Sequence, residues 1–262
     1  MASPFVHLEQ ALIGSARVHY GFTGVAAGNL GLHVGHNRQD VLKNRYQLQE
    51  FLGLNEDGVL YLNQVHASHV VDADSCSDLS LQPDNLSAET GAQLLEAAPC
   101  ADAALSVRGR ALAVLVADCI PVLLAGLGPQ GRPLLAVAHA GRQGLLTGVL
   151  EETHARMLER GARQIRAWLG PSICASCYEV PEEMRLQASA ELPALYAETS
   201  WGSPSLDLPA GAEAILESLP HIESVSRQLA SCTYENESFF SHRRGQPVGR
   251  FAGLIWVEEA AL

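Results

Sequence analysis

The chain carries a single lysine, Lys43; every other basic side chain among its 262 residues is an arginine. A Schiff-base mechanism would therefore have to use Lys43, which sits in a helical pattern, so imine chemistry is disfavoured. No apolar run approaches the roughly 20 residues of a membrane span. Residues 1–9 lack a charged start followed by an apolar core, so no signal peptide is expected and a cytoplasmic protein is. Positive charge is scarce overall. The net charge of -12 disfavours a general nucleic-acid or anionic-membrane surface. A small anionic substrate remains open, because local arginines decide that. The six cysteines are few and irregularly spaced. They do not read as a disulfide framework, and a reducing cytoplasm would keep them as thiols. Low-complexity tracts and short repeats are absent.

What the chain does have is apolar side chains, 47% of its residues, enough for a sizeable core. Residues 59–65, 69–73, 111–117 and 134–138 read as strands, and the last two are near-continuous apolar runs, as expected where both sheet faces are covered. Asn37 can cap a helix over residues 38–51 that ends at Gly53, with Asp40 as a capping-box-like partner. Its apolar stripe is Val41, Leu48 and Leu52, and Arg45 falls on the same stripe. Residues 74–100 are polar and turn-rich, with one short helical pattern near 92–97. From Gly144 the period becomes helical through Met157, and Gly161 can stop it. Further helices are expected over 181–190 and 209–219, and strands over 165–169, 224–229 and 250–257. Strands and helices without a strict βαβ rhythm predict an α/β (α+β) sandwich with a mixed β-sheet covered by helices.

Three stretches carry chemistry: Asn63-Gln64-Val65-His66, Ala117-Asp118-Cys119 and Ala138-His139-Ala140-Gly141. Each puts a metal-capable or nucleophilic side chain at the far end of a strand-like run. Three such strands side by side in one sheet would bring His66, Cys119 and His139 to a common edge. Two imidazoles and a thiolate are a zinc set with a fourth position for water or substrate. Cys119 with His139 as base would instead be a nucleophile, but the second imidazole, His66, favours a metal.

Other motifs are weaker. Gly126-Leu127-Gly128-Pro129-Gln130-Gly131 fits a dinucleotide fingerprint literally, but a strand follows where a helix must open, so it reads as a hairpin turn. Cys174-Ala175-Ser176-Cys177 has no second Cys-x-x-Cys and reads as a tight loop with two buried thiols. Ser241-His242-Arg243-Arg244-Gly245 is a basic turn. Any of its arginines, or Arg250, can meet a phosphate, and spacing does not choose among them.

The three stretches, in this order, resemble the YfiH-like laccase-domain family, also called the polyphenol oxidase or purine nucleoside phosphorylase family. Leu30-Gly31-Leu32-His33, Asn44-Arg45, Ala101-Asp102-Ala103, Gly170-Pro171-Ser172-Ile173, Cys177-Tyr178-Glu179-Val180, Cys232-Thr233 and Phe239-Phe240-Ser241-His242-Arg243-Arg244 extend the resemblance over nearly the whole chain. It implies a single domain over residues 1–262 with zinc at His66, Cys119 and His139. It further implies phosphorolysis of adenosine, inosine and methylthioadenosine, deamination of adenosine, and copper-linked oxidation of phenols. The partners implied are a purine nucleoside and inorganic phosphate. Two departures stand out: Arg142-Gln143-Gly144 replaces the family's Trp-Arg-Gly, moving the arginine by one position, and Ala67 replaces a glycine.

Roles follow as expectations. Asp118 or Asp102 would shuttle protons. Arg45 is the first choice for phosphate, because an inward arginine calls for an anion; Arg142, Ser172 and Arg244 are further candidates for substrate or phosphate. Three other classes remain open. A copper oxidase would ordinarily carry His-x-His pairs, and none occurs here. A cysteine hydrolase using Cys119 and His139, acting on a peptidoglycan precursor, would survive chelation and die on thiol alkylation. A zinc-stabilised binding module would melt on metal removal and turn over no nucleoside.

Overall fold

The computed structural model describes residues 3–35, 37–54, 58–76 and 81–257; residues 77–80 of the expected polar loop lie outside it. Two mixed sheets form its centre. In the first, β1 (Phe5–Ile13) and β2 (Ala16–Thr23) make a hairpin, β13 (Phe251–Val257) joins β2, β6 (Ala111–Val116) joins β13, and β3 (Val59–Tyr61) lies parallel to β6. The second has six strands: β12 (Ile222–Ser226), β9 (Arg163–Leu169), β7 (Ile120–Leu127), β8 (Pro133–Ala140), β5 (Ala103–Ser106) and β4 (Val70–Asp72), in that order. A small hairpin, β10 (Tyr196–Glu198) with β11 (Pro204–Leu206), stands apart.

The side-chain period of two explains the layering. Along β7 and β8, Val122, Leu124, Leu134, Ala136 and Ala138 face α4 (Val149–Glu159) and α6 (Leu208–Ser218), whereas Leu123, Ala125, Leu135 and Val137 face the other sheet. Along β6, Leu112 and Val114 point into the layer between sheets, and Ala111, Ala113 and Leu115 pack toward Leu48 of α1 (Arg38–Leu52). The order is helix, sheet, sheet, helix, with both sheets covered on both faces. A single mixed sheet was expected; the near-continuous apolar runs report covered faces but not how many sheets share them. The three strands before His66, Cys119 and His139 accordingly do not lie side by side: β3 and β6 are neighbours, while β8 belongs to the other sheet.

Local signals set most helix ends. The Asn37 side chain accepts from the amides of Gln39 and Asp40, and Gly53 closes α1 in the left-handed region. The Asp207 carboxylate accepts from Ala210 N at the start of α6. α2 (Ala88–Ala97) begins a turn earlier than its apolar pattern, because Ser87 caps it. The helix expected from Gly144 is two, α3 (Arg142–Leu146) and α4, divided at Gly148 with φ 84. α5 is Glu182–Glu191. The stretch at 126–131 is the β7–β8 hairpin connection. Among the described residues no helix is long and apolar enough to cross a membrane.

The sheets approach closely where glycine faces a bulky neighbour. A methyl on Gly253 of β13 would stand 2.7 Å from Pro121 Cβ of β7, and one on Gly170 would overlap the Phe22 ring, which is fully buried. Gly170→Ala should therefore cost about 1–3 kcal/mol by overpacking, measured as a lower urea midpoint with an unchanged slope.

Candidate metal centre and active site

Backbone geometry at the seam between the sheets delivers the three candidate ligands. β3 ends early, yet the Gln64 side chain continues its pairing by donating to Leu115 O at 2.8 Å and accepting from Leu115 N at 2.8 Å. The chain then swings off the sheet, and His66 adopts φ 62. Cys119 lies in the three-residue passage from β6 of one sheet to β7 of the other, directly after Asp118 at φ 90. Positive φ is uncommon for side chains of this size and costs about 1–3 kcal/mol, which surrounding contacts must offset. His139 is the penultimate residue of β8, in the alternation that faces Leu135 and Val137 into the layer between sheets.

Asp102 joins these pieces. Its carboxylate accepts from the amides of Val65 (3.2 Å), His66 (2.9 Å) and Ala67 (2.8 Å), and from His139 Nδ1 (2.8 Å). Its carbonyl accepts from His139 N at 2.7 Å. Three successive N–H groups turned to one side make an anion-binding concavity, here filled by the protein's own carboxylate. With Nδ1 so engaged, His139 presents Nε2, as a metal-ligating histidine does.

The ligand atoms of His66, Cys119 and His139 all lie within 4.8 Å of one another, and the two imidazole rings meet at 75°. Gly141 closes the site: a methyl there would stand 2.8 Å from Cys119 Sγ and 3.5 Å from His66 Cδ2. His139 is buried, Cys119 partly buried and His66 exposed, so the cluster opens to solvent on the His66 side. Burial would push the Cys119 thiol up, but the charge of His139 and its hydrogen bonds to His139 and His66 bring it down to about 6. Burial would lower His139, yet Cys119 and Asp102 raise it to about 9. Burial would likewise raise Asp102, but its bonds to His139 and to the amides hold it below the usual carboxylate range. A deprotonated thiol beside two imidazoles, one oriented by a carboxylate, fits zinc as a donor set.

The other predicted residues fall into distinct positions. Asp118 is occupied by protein: it accepts from the Thr233 hydroxyl at 2.6 Å and from Arg243 N at 2.7 Å, which assigns it to holding the turn. Arg244 donates to the carbonyls of Thr233, Tyr234 and Phe239, so its guanidinium ties a loop together. Ser172 is buried, its backbone paired with Ser231 and Thr233. Arg45 does face inward, and its partners among the described residues are a carbonyl and an aromatic ring. Its Nε donates to Leu30 O at 2.8 Å and its guanidinium lies 3.8 Å over the Tyr61 ring. Burial lowers it to about 10. It lines a cavity of about 70 Å³ with His33, Gln49, Tyr61 and Leu115.

Three more residues feel the charges of the centre; His33 and Tyr178 carry no role predicted by the sequence, and Arg250 is one of its several phosphate candidates. His33 lines that cavity and is lowered by burial, then by the charges of Arg250, Arg45, His139 and His66. Tyr178 is raised by burial, then by Cys119, and hydrogen-bonds Arg142. Arg250 is lowered by burial and feels Cys119 and Asp118. His33 and Tyr178 stood inside matched motifs, and no spacing rule ties them to Cys119.

The family described as multi-copper polyphenol oxidoreductase laccase matches residues 15–258. The chain belongs to this family. It is 41% identical over 252 residues to a protein of Streptomyces coelicolor named purine nucleoside phosphorylase, covering 92% of this chain and 96% of that one. It is 34% identical over 246 residues to purine nucleoside phosphorylase YfiH of Escherichia coli, covering 87% and 86%. Among solved structures, Neisseria meningitidis protein NMB0706 superposes with a TM-score of 0.73 at 31% identity, covering 98% of this chain and all of that one. YlmD from Geobacillus stearothermophilus gives 0.72 at 26% identity, covering 95% and 94%. These laccase-family neighbours share the mixed α/β architecture.

Two outcomes test the centre. Asp102→Asn should weaken metal affinity about 10–100-fold, read by competition with a chromogenic chelator. In metal-stripped protein, alkylation of Cys119 followed by peptide mass spectrometry should rise through a midpoint near pH 6, because the thiolate reacts and exists above its pKa of about 6. An ordinary thiol would rise only near pH 8.5.

Proposed function

We propose that the chain is a zinc-dependent purine nucleoside phosphorylase acting on adenosine, inosine and methylthioadenosine, with adenosine deaminase activity, in a reducing cytoplasm. The observation that carries this reading is the convergence of His66, Cys119 and His139 at a seam exposed on the His66 side, in a chain whose relatives are named purine nucleoside phosphorylases. His66, Cys119 and His139 would hold the metal, which supplies Lewis acidity when bound.

The protein's own groups account for binding and orientation. In phosphorolysis a phosphate oxygen bonds to the ribose C1′ while the bond from C1′ to the purine breaks, and the purine leaves with the electron pair and takes up a proton. Phosphate needs fixed cations. Arg142 and Arg250 suit this best, because they act on Tyr178 and on Cys119 respectively. Arg45 is placed for the far wall of the cavity, and Arg244 and Ser172 support the loop beneath. Burial and neighbouring cations favour the neutral form of His33, which can donate or accept at a purine edge. Asp102 keeps His139 oriented, and Asp118 keeps Cys119 in its turn.

One observation favours a second reading. Asp102, His139 and Cys119 form a carboxylate–imidazole–thiol series with the thiol held down to about 6, the arrangement of a cysteine hydrolase; a peptidoglycan precursor is its substrate class. Copper-linked phenol oxidation, the activity in the family description, would use the same His66, Cys119 and His139.

Incubation of metal-loaded protein with adenosine separates these. With phosphate, adenine and ribose 1-phosphate are expected; inosine marks deamination. Chelation should abolish both, and Arg142→Ala should raise the KM for phosphate at least about tenfold, the scale of one lost charge-assisted contact. No product in the presence of stoichiometric zinc contradicts the reading; activity that survives chelation but not alkylation transfers it to the hydrolase.

A further inference from the structure

Cys174, Cys177, Cys232 and Glu235 bring four donor atoms within 4.8 Å of one another, a group that shares no residue with the site built on His66, Cys119 and His139. In the sequence Cys174-Ala175-Ser176-Cys177 has no partner motif; the fold supplies a third thiol and a carboxylate from 55 or more residues downstream. The juxtaposition is built by backbone. The amides of Cys177 and Tyr178 both donate to Cys174 O at 3.0 Å, a tight turn that gathers the two thiols. Ser172 N donates to Ser231 O at 3.1 Å and Thr233 N to Ser172 O at 3.0 Å, which lays Cys232 alongside. Asn236 N donates to Cys232 O at 2.9 Å, so the chain folds back and returns Glu235 to the group. Arg244 holds that turn from outside through its bonds to the carbonyls of Thr233 and Tyr234.

We propose that Cys174, Cys177, Cys232 and Glu235 form a second, closed metal site that binds one zinc ion in a structural role. Tetrahedral zinc with bonds of about 2.3 Å to sulfur places its ligands about 3.8 Å apart, within the observed spread. Cys-x-x-Cys is a ligand spacing used by structural zinc, and a thiolate-rich set favours zinc over harder cations. All four cysteine and glutamate donors come from this chain, so no position is left for substrate. The three cysteines are free thiols.

The site would brace the catalytic turn. Ile173 N donates to Asp118 O at 3.0 Å, and the Thr233 hydroxyl donates to the Asp118 carboxylate. Each contact comes from a residue adjacent to a proposed ligand, and Asp118 precedes Cys119. Zinc would lock the two segments that grip Asp118.

Co2+ titration of reduced, metal-stripped protein tests this. Wild type should take up two equivalents, with intense sulfur-to-metal charge-transfer absorption. Cys119→Ser should retain one equivalent and most of that absorption; Cys232→Ser should lose it and bind one equivalent. Glu235 is exposed, so Glu235→Gln should fold normally and bind the second ion about tenfold more weakly. A single equivalent in wild type whose sulfur absorption vanishes entirely in Cys119→Ser would overturn the proposal. So would a Cys174–Cys177 disulfide in protein purified anaerobically.

Discussion

Asp102 is fully buried, and its carboxylate takes four donors: three successive amides of the turn at residues 65–67 and Nδ1 of His139. Charge-assisted bonds of this kind are roughly twice as strong as neutral ones. Removal of the carboxylate would leave three amides and an imidazole looking for partners, at about 1–3 kcal/mol for each group left buried and unsatisfied. The same four bonds hold His66 in a left-handed conformation that histidine does not adopt freely, and fix which nitrogen of His139 faces Cys119. Position of one ligand, tautomer of another and, through His139, the depressed thiol of the third all trace to this one side chain.

The fold explains why such a centre forms where it does. Two sheets pack face to face, and the chain crosses between them at Ala117-Asp118-Cys119. The crossing has no ladder of its own. Its polar groups are satisfied by Ile173, Thr233 and Arg243, all from connecting segments later in the chain. On the other side, Gln64 pairs with Leu115 and carries the β3–β6 register past the end of the strand. The seam is therefore held by side chain-to-backbone bonds in place of a sheet, and it presents its three donors at an opening. Membership of the laccase family and relatives named purine nucleoside phosphorylases fit a chain whose chemistry sits in this seam.

Legibility in the sequence followed the range of the interactions. Apolar period and caps are local, so the α1 limits, the β7–β8 hairpin and strands β6 and β9 could be read directly, as could the ordered trio of His66, Cys119 and His139. Partition into two sheets could not, because a run such as residues 111–117 is equally apolar whichever layers cover it. The inward position of Arg45 was legible from its stripe. Its partners were not, because a carbonyl and an aromatic ring from distant segments leave no signature at the arginine. Asp102 was visible as a carboxylate in a matched motif, but its role as an acceptor for residues 65–67 depends on a turn that only the folded chain shows. The grouping of Cys232 and Glu235 with Cys174 and Cys177 was not legible for the same reason: the four are close only in space.

The central claim is that the groups organised by Asp102 are arranged to hold a metal ion. Diffraction from crystals of the protein purified without chelators, recorded above and below the zinc absorption edge, tests it most directly. The account predicts an anomalous peak about 2.0–2.3 Å from His66, Cys119 and His139, with an oxygen from solvent or ligand completing the coordination. No peak there, with Cys119 Sγ bonded directly to a protonated His139 in zinc-supplemented crystals, would contradict it.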